Sequence, residues 1–119
     1  MTVPNQVFLI LSGMVFCAIF SAACVVTTFG DVAYSEGGIT ISVSHDGSPS
    51  EGYVQVTVYR ITDNLQEEAG TFYAPLNLKQ GGNTAFISAP LEPGQYKLYF
   101  YLVQNGERKA ATIRDLVVR

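Results

Sequence analysis

The chain has 119 residues, a formal charge of −3 and only 14% charged side chains against 48% apolar ones. Soluble domains ordinarily carry about 25% charged residues. The balance excludes a disordered chain, a coiled coil and a nucleic-acid binder, since no basic footprint for phosphates exists, and the length allows one folded domain.

The apolar surplus is concentrated at the start. Asp31 is the first charged side chain, and Val7–Phe29 is a run of 23 residues with nothing more polar than Ser and Thr. As a helix this run is about 35 Å long, enough to cross a hydrocarbon core of about 30 Å. Pro4 suits the first helical turn. Asn5 and Gln6 mark the near edge of the run, and Gly30-Asp31 the far edge. The expectation is therefore a retained transmembrane helix over residues 1–30. A cleaved signal is the alternative, but MTVPNQ holds no Lys or Arg and the run exceeds the usual apolar stretch of about 7–15 residues. Ser21-Ala22-Ala23-Cys24 resembles a lipobox, with Ser21 where Leu is usual, which leaves lipid attachment at Cys24 as a further alternative.

All seven Lys and Arg begin at Arg60, while Asp31, Glu36, Asp46 and Glu51 follow the run. That asymmetry favours a cytoplasmic N-terminus and a periplasmic or extracellular C-terminal domain. Within the run, Gly13, Cys17 and Ser21 recur every fourth residue, and Ala18 and Ala22 widen the stripe. Small residues let a second helix approach closely in lipid, so this face is expected to dock against integral membrane proteins. The run holds no His, Asp, Glu, Lys or Arg, and so offers no imidazole for chlorophyll or haem and no proton relay. Cys17 and Cys24 would stand about 10 Å apart along a helix axis, too far for a disulfide.

Asp31–Gly38 reads as a linker, after which the period changes to two. Ile39–Ser44 alternates as a strand, and His45–Gly52 is turn chemistry throughout. In Tyr53–Ile61, Val54, Val56 and Val58 share one face, and Gln55, Thr57 and Tyr59 share the other. Further strands are expected at Gly70–Ala74, Thr84–Ser88, Gln95–Val103 and Ala110–Val118. In Gln95–Val103, Tyr96, Leu98, Phe100 and Leu102 face one way. Asn105-Gly106 is the strongest hairpin signal.

Leu91-Glu92-Pro93-Gly94-Gln95-Tyr96 resembles the L-x-P-G-x-Y tyrosine corner of Greek-key sandwiches of the immunoglobulin, fibronectin type III and transthyretin-like kinds. The resemblance implies that Leu91 plugs the core, that Pro93 and Gly94 make the turn, and that the Tyr96 hydroxyl bonds back to the preceding corner. The inter-sheet cysteines and core Trp of antibody domains are absent. The expected fold class is thus mainly β with one N-terminal transmembrane helix. Residues 39–119 would form an immunoglobulin-like antiparallel β-sandwich of six or seven strands behind a linker at 31–38.

Catalytic signatures are missing. His45, the one histidine, reads as a solvated turn residue, and Asp63, Glu67 and Glu68 lack calcium-loop spacing. No phosphate loop or nucleophile elbow occurs. Neither an enzyme nor a cofactor nor a metal site is expected. The tyrosines say more: Tyr59, Tyr99 and Tyr101 should share the sheet face turned away from the core, where a half-apolar, half-wet side chain suits a contact surface. Three functions fit. The first is a single-pass accessory subunit of a larger membrane complex, of the type found in photosynthetic and respiratory assemblies. Its helix would dock laterally, and its sandwich would brace the exposed side against lipid or an extrinsic protein. The others are a pilin-like or archaellum-like filament subunit and a membrane-anchored envelope-binding module.

Overall fold

Period-two alternation and three tight turns build the domain. The computed structural model describes residues 26–119. The proposed docking stripe of Gly13, Cys17, Ala18, Ser21 and Ala22 lies outside the described residues, as do both cysteines. Seven strands follow in order: β1 (Thr27–Ser35), β2 (Gly38–His45), β3 (Ser50–Thr62), β4 (Leu65–Leu78), β5 (Gly81–Ser88), β6 (Gly94–Gln104) and β7 (Glu107–Val118). They form a three-stranded sheet ordered β1-β2-β5 and a four-stranded sheet ordered β4-β3-β6-β7. Every neighbouring pair is antiparallel.

The inward set of each strand makes one core. Ile39, Ile41 and Val43 come from β2; Val54, Val56 and Val58 from β3; Leu98, Phe100 and Leu102 from β6; Ala85 and Ile87 from β5. These are mostly β-branched and other apolar side chains at alternating positions, the pattern that a half-buried pleated surface selects. Phe100 is fully buried, and Phe29 of β1 packs a ring 6.0 Å from it, from the opposite sheet.

Three hairpins close with two-residue loops in which both residues take positive φ: Glu36-Gly37, Asp63-Asn64 and Asn105-Gly106. This is the type I′ geometry, whose twist matches that of the strands it joins. Asn105-Gly106 announces itself by composition. Glu36-Gly37 does not, because a Glu at positive φ is unusual.

The expected linker at 31–38 is corrected by these strands. Residues 27–35 form β1, Glu36-Gly37 is the turn, and Gly38 opens β2. Thr27, Thr28 and Phe29, read as the end of the apolar run, belong to β1. A register shift between Phe29 and Val32 hides the strand: Phe29, then Val32 and Tyr34 turn toward the core, so the alternation slips by one residue at Gly30-Asp31. Val7–Val26 remains as an uncharged run of 20 residues, the length that a spanning helix needs. Among the described residues no helix is long and apolar enough to cross a membrane.

β4 also exceeds its expected length. Pro75 sits within it, opposite Tyr53, with Ala74, Leu76 and Leu78 inward on either side. β4 is an outer strand of its sheet, and a missing N–H is tolerated where no further strand pairs.

Candidate functional site

The outer face of the four-stranded sheet gathers the expected tyrosines. Thr57 pairs with Tyr99 and Gln55 with Tyr101 across β3 and β6, which fixes all four side chains on the face away from the core. Tyr59 and Tyr99 meet edge to face, with ring centroids 5.2 Å apart at 79°. Such pairs add about 0.5–1.5 kcal/mol beyond area burial. The Arg108 guanidinium lies 4.0 Å from the Tyr101 ring centroid, a cation–π stack that holds both groups.

Two further tyrosines extend the face. Tyr53 and Tyr73 pack edge to face at 5.9 Å, and Tyr73 remains 60% exposed. Tyr53 shares the odd-numbered parity of Gln55, Thr57 and Tyr59 and was legible on that ground. Tyr73 was not: in the short expected strand Gly70–Ala74 the adjacent aromatics Phe72 and Tyr73 fall on opposite faces, and nothing in the alternation says which is outward. On the far side Ile113 is 55% exposed, although it lies beside Tyr99 in register.

The two β6 tyrosines divide this face. Toward β3 and β4 lies a cleft of about 470 Å³ whose walls include Gln55, Gln66, Glu68, Tyr59, Tyr99 and Arg108. Toward β7 lies an apolar hollow of about 520 Å³ lined by Tyr99, Tyr101, Ala111, Thr112 and Ile113. Thr57 is already engaged, 3.3 Å from the Thr71 hydroxyl. Among the described residues, the Gln55, Gln66 and Glu68 side chains make no hydrogen bond to the protein, so their donors and acceptors face solvent.

The corner motif is structural. Tyr96 is buried, and its hydroxyl donates to the Glu92 carbonyl at 2.6 Å. Arg60 donates to the Pro93 carbonyl at 3.3 Å and lies 5.9 Å from the Tyr96 ring centroid. Leu91 packs against the core. A second tyrosine completes the corner from β1: Tyr34 donates to the Ala89 carbonyl and accepts from the Leu91 N–H, both at 2.9 Å. Residues 55 and 57 positions apart make these bonds, a separation to which no local motif points.

His45 is not a solvated turn residue; it is 5% exposed at the end of β2. Its Nε2 lies 2.9 Å from the Ser48 carbonyl, which can only accept, so Nε2 carries the proton. Nδ1 then accepts from the Thr27 hydroxyl at 2.9 Å. The ring thereby ties the β2–β3 loop to the first residue of β1. Among the described residues no group of three or more His, Cys, Asp or Glu side chains could hold a metal ion. Glu107, fully exposed, has its carboxyl held below the usual range by a 2.9 Å hydrogen bond from Lys109 and by that ammonium's charge.

No family model matches the chain, and no curated protein matches it in sequence. Among solved structures, the chain is similar to a Bacteroides fragilis protein described as "putative beta-galactosidase". The two share 22% identity with a TM-score of 0.43, over 80% of this chain and 16% of that one.

Proposed function

We propose that the chain is a non-catalytic, membrane-held accessory subunit whose N-terminal run docks laterally among integral membrane proteins. Its β domain, of the Greek-key kind that the corner motif suggests, braces the exposed side of the assembly through the outer face of the four-stranded sheet. The carrying observation is the concentration of tyrosines on that one outer face, with Tyr73 and Ile113 more than half exposed beside the half-buried Tyr59, Tyr99 and Tyr101. Apolar and aromatic surface is retained in water where a partner covers it. The uncharged run ending at Val26, one residue before β1, supports a domain seated directly on the membrane surface.

Gentle detergent extraction followed by native gel electrophoresis and mass spectrometry tests the proposal. Co-migration with other integral proteins in fixed stoichiometry is the expected result. Recovery as a monomer favours an envelope-binding module, sedimentation as filaments favours a pilin-like subunit, and either outcome overturns the accessory role. Exchanging Gly13 and Ser21 for Leu should abolish the co-migration while leaving the β domain folded.

A further inference from the structure

We infer that the cleft on the outer face of the four-stranded sheet is a saccharide-binding site that takes a neutral oligosaccharide. The inference rests on the reading of that face as the contact surface, and it names what the face meets.

The cleft's volume of about 470 Å³ falls within the range of small-ligand sites, about 300–1,000 Å³. Its chemistry is mixed in a particular way. Tyr59 and Tyr99 supply aromatic surface, while Gln55, Gln66, Glu68 and Arg108 supply planar polar groups around it. A hexose ring has the complementary division: an apolar C–H face, and a rim of hydroxyls that each donate and accept. Amides offer both roles, a carboxylate accepts from two adjacent hydroxyls, and a guanidinium donates to one or two oxygens.

Four features of this cleft, within the wider contact face, fit a sugar. The Gln55, Gln66 and Glu68 side chains have no protein hydrogen-bond partner among the described residues, so binding breaks no internal bond of theirs. Glu is depleted in protein–protein contact cores, whereas here Glu68 lines the cleft itself. One carboxylate and one guanidinium roughly cancel, which suits an uncharged ligand. Finally, the groups stand on paired strands, and the Tyr59–Tyr99 and Arg108–Tyr101 contacts fix the rings, which reduces the ordering cost of binding. The adjoining hollow beside Ile113 lets a chain continue across the Tyr99–Tyr101 ridge.

The full chain in nanodiscs or in a detergent without sugar headgroups should be titrated calorimetrically with cellohexaose, laminarihexaose, mannohexaose and chitohexaose. Saturable binding of at least one is expected. Tyr99→Ala and Gln55→Ala should each weaken it tenfold or more, while Phe86→Ala, on the outer face of the other sheet, leaves it unchanged. Far-ultraviolet circular dichroism and melting of each variant separate lost binding from lost fold, and Gln55→Glu serves as a second variant that keeps size and exposure. Binding of none of the four, or equal binding by Tyr99→Ala and the parent, overturns the inference. If the membrane assembly co-migrates but no saccharide binds, the accessory role stands and the sugar site falls. If a saccharide binds to a chain that is monomeric in extracts, the reverse holds.

Discussion

The two sheets bury the same kind of residue and expose different ones. Inside, both offer aliphatic side chains, Ile and Val with Ala from β2 and β5, and Val, Leu and Ala around Phe100 from the four-stranded sheet. Outside, β2 and β5 of the three-stranded sheet present Thr40, Ser42, Ser44, Thr84 and Ser88, with Phe86 as the large exception. The four-stranded sheet presents five tyrosines, Ile113 and Val117. A sandwich core constrains both inner faces equally, because each must fill the same gap. It places no such demand on the outer ones. The hydroxyl-rich face is what solvent alone selects, and so the departure from it on the other sheet is where function is read.

Substitutions break or sharpen this comparison in a graded order. Phe100→Ala should be the most damaging, at about 3–5 kcal/mol, because it empties the centre of the shared core. Chemical denaturation would show it as a lower midpoint in both sheets together. Next comes Gly52→Ala, whose added Cβ would lie 2.6 Å from the Val103 backbone carbonyl, a group that cannot swing aside. Overpacking of this kind costs about 1–3 kcal/mol. Gly38→Ala is the instructive contrast: its Cβ would run into the Phe86 ring, which is half exposed and able to move, and would lie 3.0 Å from the Ile87 carbonyl. Pairing Gly38→Ala with Phe86→Ala should recover part of the lost melting temperature, whereas no side-chain truncation should rescue Gly52→Ala.

Smaller effects fall on the corner. Tyr96→Phe and Tyr34→Phe each remove a hydroxyl and should cost about 0.5–1.5 kcal/mol per lost hydrogen bond, with Tyr34→Phe the costlier since it loses two. Tyr99→Ala should cost stability on the scale of one aromatic pair while removing partner contact, and Thr84→Ala on the opposite face should change stability by less than about 0.5 kcal/mol. The smallest effect is electrostatic. A carboxyl with a depressed pKa stabilises the fold above its unfolded pKa and loses that contribution as pH falls through the folded one. Glu107→Gln should therefore lower melting slightly at neutral and higher pH, the difference vanishing as pH falls through the acid range and salt erasing it, because the pair with Lys109 is exposed.

Local patterns were legible and distant ones were not. The alternation of β3 and β6 identifies both faces at once, including Tyr59, Tyr99 and Tyr101. The corner from Leu91 to Tyr96 is contiguous, and its hydroxyl reaches back only four residues. β1 escaped because a bulge shifts its phase and because Thr27-Thr28-Phe29 continues an apolar run without a change of composition. His45 escaped for a different reason: the bond to its Nδ1 comes from Thr27, 18 residues away, in that same unrecognised strand. The cleft needed four strands brought side by side, since Gln66 and Glu68 from β4 meet Tyr99 of β6 only across β3, and Arg108 comes from β7.

The most direct measurement is site-specific photocrosslinking of the full chain in its native membranes, with p-benzoylphenylalanine at Tyr99 or at Phe86. The account predicts adducts from Tyr99, on the four-stranded face, and none from Phe86. Adducts from Phe86 alone, or equal yields from the two positions, would contradict it.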